Sequence, residues 1–149
     1  MPISPNETML KFGYPETLVA ETDRWAVLLR PQQVTLGSLV LICREPDTKA
    51  FSDLSEAAFA ELRTVVKGVE ALLRRFVHYQ KINYLMLMMV DPDVHFHVFP
   101  RYEGSRGYAG LDFTDRGWPG PPALAEAVAL EKPHIASLVA DLRAGWLGG

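Results

Sequence analysis

The sequence predicts an α+β fold: an antiparallel sheet of about five strands, one long helix and a closing C-terminal helix. Three observations carry this. Short apolar or alternating runs at residues 25–29, 37–43, 82–90 and 93–99 have the pattern of strands. One stretch, from Ser55 to about His78, has the 3.6-residue period of an amphipathic helix. The runs within each pair are separated by short connections, which makes them antiparallel neighbours.

The 149 residues fit a single domain, 1–149, large enough to bury a core, and 48% hydrophobic with 22% charged residues is a globular balance. A net charge of −3 gives no electrostatic footprint for nucleic acid or an anionic membrane, so neither partner is expected. Cys43 is the only cysteine, which rules out an intrachain disulfide and fits a reducing compartment. Residues 1–10 lack the basic and apolar regions of a secretory signal, and the most apolar run, 84–90, is too short to cross a bilayer. The expectation is a soluble, cytoplasmic protein.

In chain order, Pro2, Pro5, Gly13 and Pro15 make residues 1–16 an irregular arm or a short element. Residues 18–21 form a candidate first strand. Residues 25–29 read as a strand ended by Pro31, and 37–43 as its returning partner. Ser55 suits a helix N-cap, and Phe59, Leu62, Val66, Val69, Leu73 and Phe76 fall at steps of three and four, giving the helix its buried face. His78 falls in its last, exposed turn. Residues 82–90 are too apolar for a half-exposed strand and are expected centrally in the sheet, joined by a tight turn to the strand that follows. The glycines of 103–110 suggest a flexible loop, and 118–122 (Trp-Pro-Gly-Pro-Pro) excludes regular helix. Pro133 fits the first turn of a last helix whose apolar face is Ile135, Leu138, Val139 and Leu142, with Gly145 at its end.

The chemistry is expected at Asp93-Val94-His95-Phe96-His97-Val98-Phe99-Pro100-Arg101. Strict alternation places Asp93, His95 and His97 on one face of a strand and Val94, Phe96 and Val98 on the other. A neutral imidazole is a competent nucleophile toward phosphorus and also titrates near neutrality. One histidine attacking and a second protonating the leaving oxygen would suffice to split a phosphoanhydride or phosphoramidate. Arg101, Arg106 and Arg30 are the nearby cations available to a phosphorylated ligand.

This run resembles the signature of the histidine triad superfamily of nucleotide hydrolases and transferases. The resemblance extends to the order of elements from about Trp25 onward. It implies a homodimer that binds a purine nucleotide. His95 takes the place of the histidine that attacks the α-phosphate and forms a nucleotidyl-histidine intermediate, and His97 the place of the one beside the leaving group. Leu28 and Val40 fall where the family packs the base, Arg30 where an asparagine commonly meets the ribose, and Ser38 where many members have another histidine. Asp93 stands where the first histidine of the triad belongs, and its carbonyl keeps the task of orienting the nucleophile. Its carboxylate is expected to repel phosphate and favour imidazolium. Val90-Asp91-Pro92 replaces the usual phosphate-binding Gly-Gln-Ser/Thr segment.

The site residues expected are thus His95, His97 and Asp93 for catalysis and Leu28, Arg30, Ser38, Val40 and Arg101 for substrate. No cofactor or metal is expected at the nucleophile, while a divalent cation on the substrate phosphates is compatible with it. Two alternatives stay open: a nucleotide-binding module with little turnover, and a metal site built on Asp93, His95 and His97.

Overall fold

The structure is a computed structural model describing residues 4–147; residues 1–3 of the expected arm and 148–149 lie outside the described residues. The elements in order are α1 (Glu7–Lys11), β1 (Leu18–Glu21), β2 (Trp25–Leu29), β3 (Gln32–Gln33), β4 (Leu39–Cys43), α2 (Glu56–Val77), β5 (Lys81–Leu85), β6 (His95–Arg101), β7 (Ser105–Tyr108), β8 (Leu111–Thr114), β9 (Val128–Ala129) and α3 (Lys132–Gly145). Five strands make one antiparallel sheet in the order β1-β2-β4-β6-β5, so the fold is α+β as expected.

Every residue of β2 and β4 is buried, because both faces of the sheet are covered. On one face Trp25, Val27, Leu29, Leu39 and Leu41 pack with Val65, Val69, Leu72 and Leu73 of α2. Trp25 adds an anchor there, its indole N–H donating to the Ala58 carbonyl at 2.8 Å. Each such fully buried side chain contributes roughly 1.5–3 kcal/mol. On the other face Ala26, Leu28, Val40 and Ile42 lie under Met9 of α1.

α2 starts where Ser55 was expected to cap it: the Ser55 hydroxyl accepts from Ala58 N at 3.0 Å. It ends at an exposed, left-handed His78 (φ 55°). Its buried stripe is rotated from the expected one. Ala58, Val65, Val69, Leu72, Leu73 and Val77 are buried, whereas Phe59 is 45% exposed. The helix carries more apolar residues than one stripe can bury, so Phe59, Leu62 and Val66 are left along its margin.

Residues 82–90 differ more. The strand stops at Leu85 and pairs only with β6, so β5 is the edge of the sheet rather than its centre. Residues 86–94 form a connecting loop, not a tight turn. Met86 and Met88 pack against the core, while Met89 and Val90 are 85% and 80% exposed. The run is apolar for two different reasons, which hydropathy alone merges into one strand. The glycine-rich residues 103–110 likewise contain a strand, β7, which pairs with β8 just after them. Ala109 and Gly110 turn it with positive φ (52° and 79°), as the favoured two-residue hairpin turn requires. Pro133 does open α3, with Leu138, Val139 and Leu142 buried.

The turn from β2 to β4 is built without play. Gly37 has φ +90°, and a Cβ there would stand 3.0 Å from both Leu73 and Val77. The buried Gln33 accepts from Gly37 N at 2.8 Å and donates to the carbonyls of Arg30 and Ser38 at 2.6 and 2.9 Å. Residues 30–38 are thereby fixed against the sheet that carries the histidines.

Candidate active site

The registers of β2, β4 and β6 arrange the α1 side of the sheet in rows. Ala26, Ile42 and His95 form one row; Leu28, Val40 and His97 form the next. Beyond them Arg30, whose N–H donates to the Ser38 carbonyl, extends its guanidinium over the ring of Phe99 at 5.6 Å. His95, His97, Leu28, Val40 and Arg30 thus share one surface.

His95 is 2% exposed, and its Nδ1 lies 2.7 Å from the Asp93 carbonyl oxygen. A carbonyl only accepts, so Nδ1 carries a proton, and in the neutral ring Nε2 is the nitrogen with the lone pair. The backbone before the strand therefore selects the tautomer in which Nε2 is the nucleophilic atom.

The Asp93 carboxylate lies on the α1 side with the histidines, as expected, but other groups there take up its oxygens. It accepts from Thr8 N at 3.1 Å and Thr8 Oγ1 at 2.9 Å, and pairs with Lys49 Nζ at 2.6 Å. The strand begins at His95, but the alternation carries on back through Val94, which packs in the α2-side core, to Asp93 on the α1 side. Burial pushes its carboxyl up, but the Lys49 and Thr8 bonds outweigh this and hold it below the usual range. With the charge so compensated, the expected repulsion of a phosphate loses most of its basis.

The His97 ring lies 5.1 Å from that of His95 at 82° and meets Phe12 edge-on at 5.7 Å. It is 7% exposed, and its Nδ1 is buried without a hydrogen-bond partner among the described residues. Burial first, then the positive Arg30 and the neighbouring His95, push its pKa down from 6.5 to about 4. The ring is neutral at ordinary pH.

Two expected substrate contacts are committed inside the fold. Ser38 is fully buried, its hydroxyl donating to the Thr35 carbonyl at 2.7 Å and accepting from Thr35 N at 3.1 Å. Arg101 makes a two-point pair with Asp115 (2.7 and 3.0 Å) and also donates to Asn83 Oδ1 and the Gly120 carbonyl. Both members of that pair are buried, and breaking one like it from one side costs about 3–5 kcal/mol. Its geometry is that of a structural anchor. Arg106 is likewise turned away, donating to the Val77 and His78 carbonyls.

Leu28 and Val40 form an apolar floor, fully buried beneath Met9 and flanked by Phe12, Tyr14 and Leu18. The face expected to be open is covered by α1. Asn6 caps that helix and ties it to the Cys43 carbonyl at 2.8 Å, Thr8 ties it to Asp93, and Lys11 to Asp91 at 2.6 Å. Thr8, Phe12 and Lys49 were not foreseen as site residues. Asn6 before Glu7 is a legible capping signal, but nothing in the sequence says that the short helix crosses the histidines.

A hollow of about 510 Å³ lies between residues 13–17, Pro31 and the first turn of α3, and no expected site residue lines it. Chemistry rather than volume marks the site. Among the described residues no three His, Cys, Asp or Glu side chains gather to hold a metal ion, and Asp93 is occupied elsewhere, so the donor set does not support the metal alternative.

A model of the HIT domain matches residues 12–104. No curated protein matches the chain. Among solved structures, a histidine triad protein of Bradyrhizobium japonicum is 22% identical with a TM-score of 0.73, covering 96% of this chain and 97% of that one. A histidine triad (HIT) protein of Sinorhizobium meliloti 1021 is 21% identical with a TM-score of 0.74, covering 96% of each chain. Diadenosine triphosphate hydrolase of Plasmodium falciparum is 8% identical with a TM-score of 0.61, covering 87% of this chain and 76% of that one. These likenesses show the fold.

The His97 environment predicts an acid sensitivity. Its folded pKa lies below the ordinary 6.5, so the stability it contributes is complete above that value and is lost as pH falls toward about 4. Across that window the loss is on the order of 2–3 kcal/mol. Asp93 shifts the same way but acts below its ordinary 3.8, outside the window. Urea unfolding at pH 7, 5.5 and 4.5 should show the decline in the native protein and a flatter profile in His97→Gln; parallel profiles would contradict the neutral, buried state of His97.

Proposed function

The chain belongs to the HIT domain family, and on that premise we propose that it is a nucleotide hydrolase or nucleotidyl transferase. It acts at the α-phosphate of a purine nucleotide conjugate, of the dinucleoside polyphosphate or nucleoside phosphoramidate class. The observation that carries this is the Nδ1 contact of His95 with the Asp93 carbonyl, which leaves Nε2 as a lone-pair nucleophile beside a second imidazole. The named activity of the Plasmodium falciparum neighbour supports the phosphoanhydride class.

In this reading Nε2 of His95 attacks the α-phosphorus and forms a P–N bond while the bond to the leaving group breaks. The arriving phosphate raises the His97 pKa by its negative charge, so His97 takes up a proton and passes it to the leaving atom. Water, or an acceptor nucleophile in a transferase, then cleaves the P–N bond and restores His95. Charge neutralisation and positioning dominate such transfers. Leu28 and Val40 supply the apolar floor for the base, and Arg30 is the cation left for substrate. Ser38 and Arg101 act through the fold that holds these groups. A divalent cation on the substrate phosphates is compatible with the scheme.

The cover of α1 over both imidazoles supports a second reading, nucleotide binding with little turnover. The two separate in one experiment. With ³²P at the α-phosphate, native protein quenched in alkaline detergent should carry an acid-labile, base-stable phosphoramidate. His95→Ala should carry none and lose turnover, while keeping monophosphate affinity within about tenfold, or 1.4 kcal/mol. Unlabelled native protein that still binds nucleotide would favour the second reading, and an active His95→Ala would remove His95 as nucleophile.

A homodimer is part of the proposal. β5 is an edge strand, and beside it Phe59, Leu62, Val66, Tyr84 and Phe96 present apolar surface, with Phe51 49% exposed against Phe59 and Phe96. Unpaired edges and apolar patches of this kind invite a partner. Sedimentation equilibrium should give twice the chain mass at micromolar concentration; a monomer throughout would remove the dimer.

A further inference from the structure

Among the described residues, Arg30 is the one side chain on the histidine surface whose charge the fold leaves unanswered. It makes no salt bridge among the described residues. One guanidinium nitrogen donates to the Gln32 carbonyl at 2.7 Å, but Nε is buried with no hydrogen-bond partner among the described residues. The group is partly buried, and burial draws its pKa below the ordinary 12.5. A cation withdrawn from water without a counter-charge costs free energy, and here it also depresses the neighbouring His97.

The Gln32 carbonyl and the Phe99 ring hold the guanidinium in place without supplying a counter-charge. A solvated arginine at this position would turn outward. Instead the guanidinium crosses above Ser38, whose small side chain is folded down into its own turn, and rests on Phe99. The backbone beneath it is fixed by Gln33 at both Arg30 and Ser38. Beside it His97 presents the other buried, unpartnered nitrogen of the same surface. Two adjacent polar groups, each with a buried nitrogen unpartnered among the described residues, one of them cationic and held by a rigid turn, are the complement of an anion.

We propose that Arg30 reads a second phosphoryl group on the nucleotide, distinct from the phosphate attacked at His95, and so selects doubly phosphorylated over singly phosphorylated substrates. This deepens, and rests on, the nucleotide reading above. Arg30 lies about two residue rows from His95, so the second group sits within roughly 13 Å of the reacting phosphorus at about 3.3 Å per residue. A planar guanidinium is suited to two-point binding of a phosphoryl group and loses little freedom in doing so. The group can come from a 5′-polyphosphate chain or from a phosphate on the ribose; the recognition chemistry is the same.

Calorimetric titration of the full chain with AMP, ADP, adenosine 3′,5′-bisphosphate and adenosine 2′,5′-bisphosphate tests it. At least one doubly phosphorylated nucleotide should bind about tenfold or more tightly than AMP, as one charge-assisted contact provides. ADP leading points to the polyphosphate chain, and a bisphosphate leading to the ribose. In Arg30→Gln that ratio should collapse to within about twofold, with Arg30→Lys between. Equal affinity of native protein for all four ligands overturns the proposal whatever the variants do, as does a ratio that survives in Arg30→Gln. If no nucleotide binds, the nucleotide reading falls with it, an outcome distinct from binding without discrimination.

Discussion

Asp93 is the point at which the sheet, the N-terminal helix and the reacting imidazole are tied together. Its carbonyl sets the protonated nitrogen of His95, and its carboxylate holds Thr8 of α1 and Lys49 of the loop after β4. One residue thus does two separable things, the first through its backbone and the second through its side chain. A carboxylate near an incoming phosphate would ordinarily be unfavourable, but here three hydrogen bonds and an opposite charge have compensated it. The consequence is a covered face. α1 lies across both imidazoles, and any ligand that reaches Nε2 must work around Met9 and Phe12.

What the imidazoles stand on matters as much. β4 lies between β2 and β6, and its register places His95 beside Ile42 and His97 beside Val40. The Gln33 clamp and the close packing at Gly37 leave that register no slack. Because β2 and β4 are buried on both faces, a slip of one residue would exchange both cores at once, which makes the placement of the histidines cooperative with the whole fold. At the far end Arg101 and Asp115 fix β6 to the segment after β8.

Much of this was legible in the sequence. Alternation located β6, the three-to-four spacing located α2, Ser55 marked its start, and Pro133 the start of α3. The resemblance carried by His95-Phe96-His97 led to the family. The failures share a cause: they concern which partner a side chain finds. Residues 82–90 are apolar both where they pair and where they lie exposed, so their composition hid an edge strand followed by a loop. Ser38 and Arg101 have the right chemistry for a ligand, and only three-dimensional neighbours, Thr35 and Asp115, show that they are taken. Asp93 falls on the α1 side with the histidines, as its alternation suggests, but its carboxylate is already engaged there. Thr8 and Lys49 approach it across 85 and 44 residues of chain, beyond the reach of any local pattern.

The central claim is that His95 presents an unprotonated Nε2 because the Asp93 carbonyl holds its Nδ1 proton. Long-range ¹H–¹⁵N correlation of the histidine side chains at pH 7, with His95 assigned by loss of its signals in His95→Ala, reports this directly. The account predicts that the neutral ring carries its proton on Nδ1, with Nε2 at the shift of a bare imidazole nitrogen. A ring protonated at Nε2 and bare at Nδ1 would contradict it.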